Sequence, residues 1–245
     1  MKTNGNTILI TGGGTGIGFS LARAFVQAGN QVIVCGRREA KLAEAKRKIP
    51  ALETVVCDVA SPQARQKLFE QTTRRFPELN VLVNNAGIQR QIDFRQGLQD
   101  LEAGENEILS NFDAPVQLSA LFIPHLLRQP EAAIINITSG LGFTPLAFLP
   151  IYCATKAAVH SLTLSLRHQL KGTSVKVFEV IPPTVDTELD RGARDRRGQK
   201  DRGIHPDEVA AATLPALAAD QFELAIGAAA RLRSDPETMF AMINH

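Results

Sequence analysis

Tryptophan is absent from the 245 residues, tyrosine occurs once, at Tyr152, and cysteine three times. Cys35, Cys57 and Cys153 are odd in number and show no C-x-x-C spacing, so neither a disulfide framework nor a structural zinc site is indicated. Free thiols of this kind suit a reducing compartment. Neither sign of charge dominates. The 27 Lys and Arg against 25 Asp and Glu leave +2, too little to argue for nucleic acid or an anionic membrane as partner. The polar start, Met1 to Asn6, meets an apolar stretch too short for a signal peptide or a membrane span, and a cytoplasmic protein is expected. His125, His160, His168, His205 and His245 form no metal-ligand spacing and are read as surface or packing residues. The acidic residues are scattered without a paired-carboxylate site, and no metal is expected.

What is present is an ordinary soluble composition, 44% hydrophobic and 21% charged. Short apolar runs rich in Val and Ile read as strands: Thr7–Ile10, Gln31–Cys35, Thr54–Cys57, Val81–Val83, Ala133–Thr138 and Val175–Val180. Helix-length segments separate them, among them Ile17–Ala28, Glu39–Lys48, Pro62–Phe76 and Tyr152–Leu170. Strands that are apolar throughout, rather than alternating, suit a parallel sheet covered on both faces. The reading is an α/β fold: one doubly wound, Rossmann-type parallel sheet of about seven strands, helices on both faces, in a single domain over residues 1–245. From Asp190 to Arg202 the rhythm breaks, with six Arg or Lys against three Asp and almost nothing apolar. A segment there lies over the carboxyl ends of the strands, where it is either a solvated loop or, over about 188–205, a lid.

After the first strand comes Thr11-Gly12-Gly13-Gly14-Thr15-Gly16-Ile17-Gly18, opening a helix. Such glycines let the backbone turn sharply and approach a pyrophosphate at the positive end of the helix. The second strand ends in Gly36, Arg37 and Arg38, with no carboxylate before Glu39 to hold a ribose 2′-hydroxyl. An arginine there can pair bidentately with a 2′-phosphate, so NADP is expected over NAD. Further on, Val81-Leu82-Val83 runs into Asn84, Asn85, Ala86 and Gly87, and the strand Ile134–Ser139 ends on a hydroxyl. Thirteen positions later stands Tyr152, and four after it Lys156. Residues i and i+4 share a helix face, so an ammonium lies beside a phenol. A free phenol titrates near pH ~10, and a neighbouring cation moves it toward the working range.

Thr11–Gly18, Asn84–Gly87, Asn111, Ser139 and Tyr152-Cys153-Ala154-Thr155-Lys156, in this order and spacing, resemble the motif set of the short-chain dehydrogenase/reductase family. The resemblance implies a catalytic set of Asn111, Ser139, Tyr152 and Lys156. Tyr152 would be the acid in reduction and the base in oxidation, and Lys156 would tune it and hold the nicotinamide ribose. Ser139 would hydrogen-bond the substrate oxygen, and Asn111, inside its helix, would hold a water linking Lys156 to solvent. Gly12, Gly16, Ile17, Gly18, Arg37, Asn85, Ala86 and Gly87 would line the cofactor cleft, with Asp58 and Val59 at the adenine. Pro182, Thr184, Val185 and Thr187 would touch the nicotinamide carboxamide. Two positions depart from the pattern: Pro183 stands where the family has glycine, and Cys153 follows the tyrosine where a small residue is common. Pro182–Thr187 resembles a branch associated with D-alanine transfer to teichoic acids, which supplies no substrate.

The implied activity is hydride transfer between NADP(H) and a carbonyl or alcohol carbon. The alternatives are an NADP(H)-binding regulatory protein on the same fold and an epimerase or dehydratase. The intact catalytic set speaks against the first, and the absence of room for a larger substrate domain against the second. Gly140, Leu141, Gly142, Phe143, Leu146, Phe148 and Leu149, facing Gln89 and Arg90, are expected round the substrate, an apolar wall suited to a small apolar carbonyl compound. Apolar residues on Asn111–Leu127 and Tyr152–Leu170 beyond those the sheet needs, together with the resemblance, imply a homodimer or homotetramer.

Overall fold

Strand β1 (Thr7–Thr11) is buried at every position, as is β5 (Ala132–Ile137), and β2 (Gln31–Gly36) is exposed only at its first residue. Their branched side chains therefore face packed layers on both sides, as continuous apolar runs require. The computed structural model describes residues 1–190, 192, 198 and 203–244. Within them β3 (Glu53–Val56), β4 (Leu79–Asn84), β6 (Val175–Ile181) and β7 (Glu223–Ala225) complete one sheet of seven strands in the order β3-β2-β1-β4-β5-β6-β7. Every pairing is parallel. Most of the segment read as a lid lies outside the described residues.

Helices α1 (Gly16–Gln27), α2 (Glu39–Lys48) and the later α7 (Pro206–Ala218) cover one face, burying Leu21, Phe25, Leu42, Val209 and Leu217. Helices α3 (Pro62–Arg75), α5 (Ala114–Leu126) and α6 (Pro150–Gln169) cover the other with Leu68, Leu118, Phe122 and Leu166. Phe25 and Phe122 are fully buried, each worth roughly 1.5–3 kcal/mol by transfer. A short α4 (Leu98–Glu102) precedes α5, and α8 (Ala228–Ser234) and α9 (Pro236–Ile243) close the chain. Local chemistry fixes several starts. The Ser61 hydroxyl accepts from the Ala64 amide 3.3 Å away, ahead of Pro62 in the first turn of α3. His205 and Glu208 form a reciprocal capping box on α7.

Differences from the sequence reading are small. Strand β3 is one residue earlier than Thr54–Cys57, and α6 begins at Pro150, where a fixed φ and missing N–H are harmless. Strand β7, three half-buried residues, carries too little pattern to be read. One internal feature ties the sheet to α6. The Asn84 amide donates to Asn136 (2.9 Å), whose own amide donates to the Thr163 hydroxyl (2.8 Å), a buried polar thread from β4 through β5 to the helix.

The strand order reverses between β1, which continues to β2, and β4, which continues to β5. Loops leaving the carboxyl ends of β1 and β4 must diverge there and open a crevice.

Candidate active site

At that crevice the turn after β1 meets the loop after β4. The Thr11 hydroxyl accepts from the amides of Asn85 and Ala86, both at 3.0 Å, and the Asn85 side chain donates to the Thr11 carbonyl at 2.9 Å. Gly12 has φ +65°, and a β-carbon on it would lie 2.8 Å from the Ala86 α-carbon. One on Gly18 would lie 2.5 Å from the Gly12 carbonyl oxygen, so both glycines are demanded by close approach. The resulting cleft, about 1430 Å³, runs from Gly36 and Arg38 past Gly12 and Asn85 to Ser139 and Tyr152. Gly16, Ile17, Arg37, Asp58, Val59, Ala86 and Gly87 line it, as do Pro182, Thr184, Val185 and Thr187. Gly18 supports the turn from beneath, and Asn111 stands just behind Gly87, whose β-carbon would meet the Asn111 oxygen at 3.4 Å.

At the inner end, α6 presents Tyr152 and Lys156 beside Ser139, which lies just beyond β5. Lys156 is 5% exposed; its ammonium donates to the Ile137 carbonyl at 2.8 Å and lies 5.7 Å from the centroid of the Tyr152 ring. Burial pulls its pKa down to about 8. The Ser139 hydroxyl accepts from the Leu141 amide at 3.1 Å, which leaves its proton free to point at a substrate oxygen. Asn111 sits in a widened, π-helical turn, Leu109–Asp113, rather than in an ordinary helix. Its amide pairs with both the N–H (2.8 Å) and the C=O (2.9 Å) of Ile88 and donates to Thr155 at 3.2 Å.

At the outer end, Arg37 is bound bidentately by Glu105, at 3.0 and 3.2 Å. The turn bearing Asp58 and Val59 is held by Arg65, a buried arginine that donates to the Val59 carbonyl (2.6 Å) and to Asp113 (2.8 Å). The sequence gives no sign of Arg65, since on α3 it looks like any surface cation.

The substrate wall is partly as expected. Gln89, Gly140, Leu141, Leu146, Phe148 and Leu149 line the cleft, whereas Gly142, Phe143 and Arg90 do not. Gly142 presses on the backbone of α6, where a β-carbon would be 3.0 Å from the Ala157 nitrogen. Phe143 turns away to the His160 ring, 4.6 Å between centroids. Arg90 spends its guanidinium on the carbonyls of Asp100, Leu101 and Glu105. Leu232 of α8, which no motif marks, enters the wall instead. A β-carbon on Gly140 would meet it at 2.7 Å, and the Thr144 hydroxyl donates to its carbonyl at 2.6 Å. Asn244 closes the same region, accepting from the Ala147 amide (2.6 Å) and donating to the Pro145 carbonyl (3.0 Å).

Pro183 lies against Gly227, and beyond it Ile204 pairs with the Thr184 carbonyl (3.1 Å) and the Asp186 amide (2.9 Å). Cys153 is buried, and desolvation pushes its thiol up to about 11, so it is inert at neutral pH. His160 does more than pack: its Nδ1 is 2.8 Å from the fully buried Glu179, which also accepts from the Thr138 hydroxyl at 2.7 Å. Glu223 stands close by, so two carboxylates do converge here, contrary to the scattered acids of the sequence reading. Glu223 is paired with Arg233, and the ligand-type atoms of His160, Glu179 and Glu223 lie within 4.8 Å of one another.

The profile of the short chain dehydrogenase family matches residues 6–198. The chain belongs to the short-chain dehydrogenases. The matched span takes in the cleft at the strand-order reversal and Ser139, Tyr152 and Lys156 beside it. A Bacillus subtilis relative, the uncharacterized oxidoreductase DltE, is 56% identical over 208 residues, 85% of this chain and 82% of its own. The branch suggested by Pro182–Thr187 is therefore the right neighbourhood. A short-chain dehydrogenase/reductase from Burkholderia phymatum, solved in complex with NAD, superposes with a TM-score of 0.86 at 25% identity over 100% of this chain and 97% of its own. Another from Burkholderia cenocepacia, solved with NADP, gives 0.82 at 25% identity over 99% of each. Structural neighbours of this short-chain dehydrogenase thus hold either dinucleotide.

Proposed function

We propose that this oxidoreductase, acting as one domain over residues 1–245, transfers a hydride between NADP(H) and the carbonyl or alcohol carbon of a small, apolar substrate. The observation that carries the reading is Lys156, a buried ammonium anchored on the Ile137 carbonyl beside the single tyrosine. The cleft suits a dinucleotide: it spans from the cations behind Gly36 to Ser139, and the glycine turn leaves its backbone uncovered by side chains of its own. Bound NADPH would supply the hydride. The protein's part is to hold the acceptor oxygen between the Ser139 and Tyr152 hydroxyls and to deliver a proton from Tyr152 as negative charge develops on that oxygen. Lys156, still largely cationic at pH 7, stabilises the resulting phenolate. Asn111 fixes the loop at Ile88 that borders the same space.

Preference for NADP rests on the missing acid after β2 and on Arg37, Arg38 and Lys41 lining the outer cleft. The leucine and phenylalanine side chains of the wall support an apolar substrate. Three buried thiols, none in a disulfide, fit a cytoplasmic protein. No helix among the described residues is long and apolar enough to cross a membrane. Comparing the melting-temperature rise with NADPH and with NADH tests the cofactor, and a carbonyl panel with the preferred one tests the activity. Tyr152→Phe should lower kcat/KM by about 10²–10⁴-fold while keeping the cofactor-induced rise. A Phe variant as fast as the wild type would refute the role given to Tyr152.

A further inference from the structure

Glu188 follows the segment that leaves β6, yet its carboxylate reaches across the mouth of the cleft to α2. One oxygen accepts from the Arg38 guanidinium at 2.7 Å and the other from the Lys41 ammonium at 2.8 Å. Arg38 also donates to the Thr15 hydroxyl in the glycine turn, at 3.2 Å. The neighbouring Thr187 lies directly on that turn, its γ-methyl 3.0 Å from where a β-carbon of Gly16 would stand. Arg37, meanwhile, is engaged by both oxygens of Glu105. The two cations that remain beside the open pocket behind Gly36 are thus bridged by one carboxylate, and the same side chain holds residues 187–188 over the turn.

A carboxylate between two cations has the charge sign and acceptor chemistry of a phosphate, but half the charge and fewer oxygens. We propose that Glu188 is a built-in occupant of the site for the cofactor's 2′-phosphate, and that an adenosine 2′-phosphate displaces it from Arg38 and Lys41, releasing the strap over Gly16. The inference rests on the NADP reading above and adds to it a competitor carried by the chain itself. The carboxylate thus holds back the affinity of these cations for a 2′-phosphate, and leaves untouched a ligand whose bare 2′-hydroxyl does not compete for them. All three side chains are substantially exposed, so the bridge is weak enough for a ligand to break.

The test is calorimetric titration of the full chain, wild type and Glu188→Gln, with 2′-AMP and with 5′-AMP, two dianions of equal composition. The Glu188→Gln variant should bind 2′-AMP about three- to tenfold more tightly, consistent with loss of exposed ion pairs, and 5′-AMP unchanged within about twofold. NADPH should follow 2′-AMP. Arg38→Ala/Lys41→Ala should weaken 2′-AMP, and adding Glu188→Gln to that double variant should change its affinity no further. Equal tightening of both nucleotides would reduce the effect to general charge and overturn the proposal. Wild-type preference for 2′-AMP that Glu188→Gln leaves unchanged would overturn the proposal and leave the NADP reading standing. Failure of both proteins to prefer 2′-AMP over 5′-AMP would sink the proposal and the NADP reading together.

Discussion

An ammonium removed from water persists as a cation only if something else solvates it. For Lys156 that is chiefly one carbonyl, Ile137, and burial brings its pKa from 10.5 to about 8. Between those values the unfolded chain binds more protons than the native one, so stability rises with pH across about 8 to 10.5. Lys156→Met should remove that rise, a difference read by melting both proteins at pH ~8 and ~10. Glu107 has the opposite sign. It is 2% exposed, one oxygen accepts from the Arg90 amide at 3.1 Å, the other has no partner among the described residues, and desolvation raises its pKa from 4.5 to about 7. Here the native state holds the extra proton, so stability falls as pH climbs from 4.5 to 7. Glu107→Gln should melt at a nearly constant temperature across that interval while the wild type declines; parallel curves would show that the carboxyl titrates elsewhere. At this scale the sequence was legible where chain spacing alone makes the contact, as with Tyr152 and Lys156 on one helix face. It was silent on Arg65, Glu107 and Leu232, whose roles exist only once distant segments meet.

Among elements, the widened turn at Leu109–Asp113 shows where a pattern can be right and its geometry unread. The sequence reading places Asn111 in an ordinary helix, and nothing in the residues marks the extra residue per turn. The consequence is that the Asn111 amide faces the loop after β4 and satisfies both backbone groups of Ile88. Asn111→Leu would leave that N–H and C=O buried without partners, destabilising the fold by about 2–4 kcal/mol, measurable by urea unfolding. Arg65→Met should cost about 2 kcal/mol and loosen the Asp58–Val59 turn, weakening the cofactor more than any apolar substrate. Boundaries set by capping chemistry, such as Ser61-Pro62, are visible in advance. Strand β7 was not, because its place is given by β6 and not by its own three residues.

For the whole molecule, the regular alternation of apolar strands and helices carried the reading of the sheet, and the strand-order reversal then located the cleft. What alternation cannot convey is whether any surface meets a second copy. Leu164 on α6 and Leu127 at the end of α5 are 45% and 43% exposed. If these helices form the expected seam, Leu164→Glu should convert a dimer or tetramer to a monomer in light scattering, with the melting temperature becoming independent of protein concentration. A wild-type monomer would remove the seam.

The segment from α8 to Asn244 contributes no strand to the sheet, yet through Leu232 and the bonds to Thr144, Pro145 and Ala147 it forms an outer boundary of the substrate space. On the proposed reading, the residues that carry the chemistry and those that bound the reactant thus sit on separate segments. Swapping these final residues between relatives would exchange what enters while sparing the machinery that acts on it.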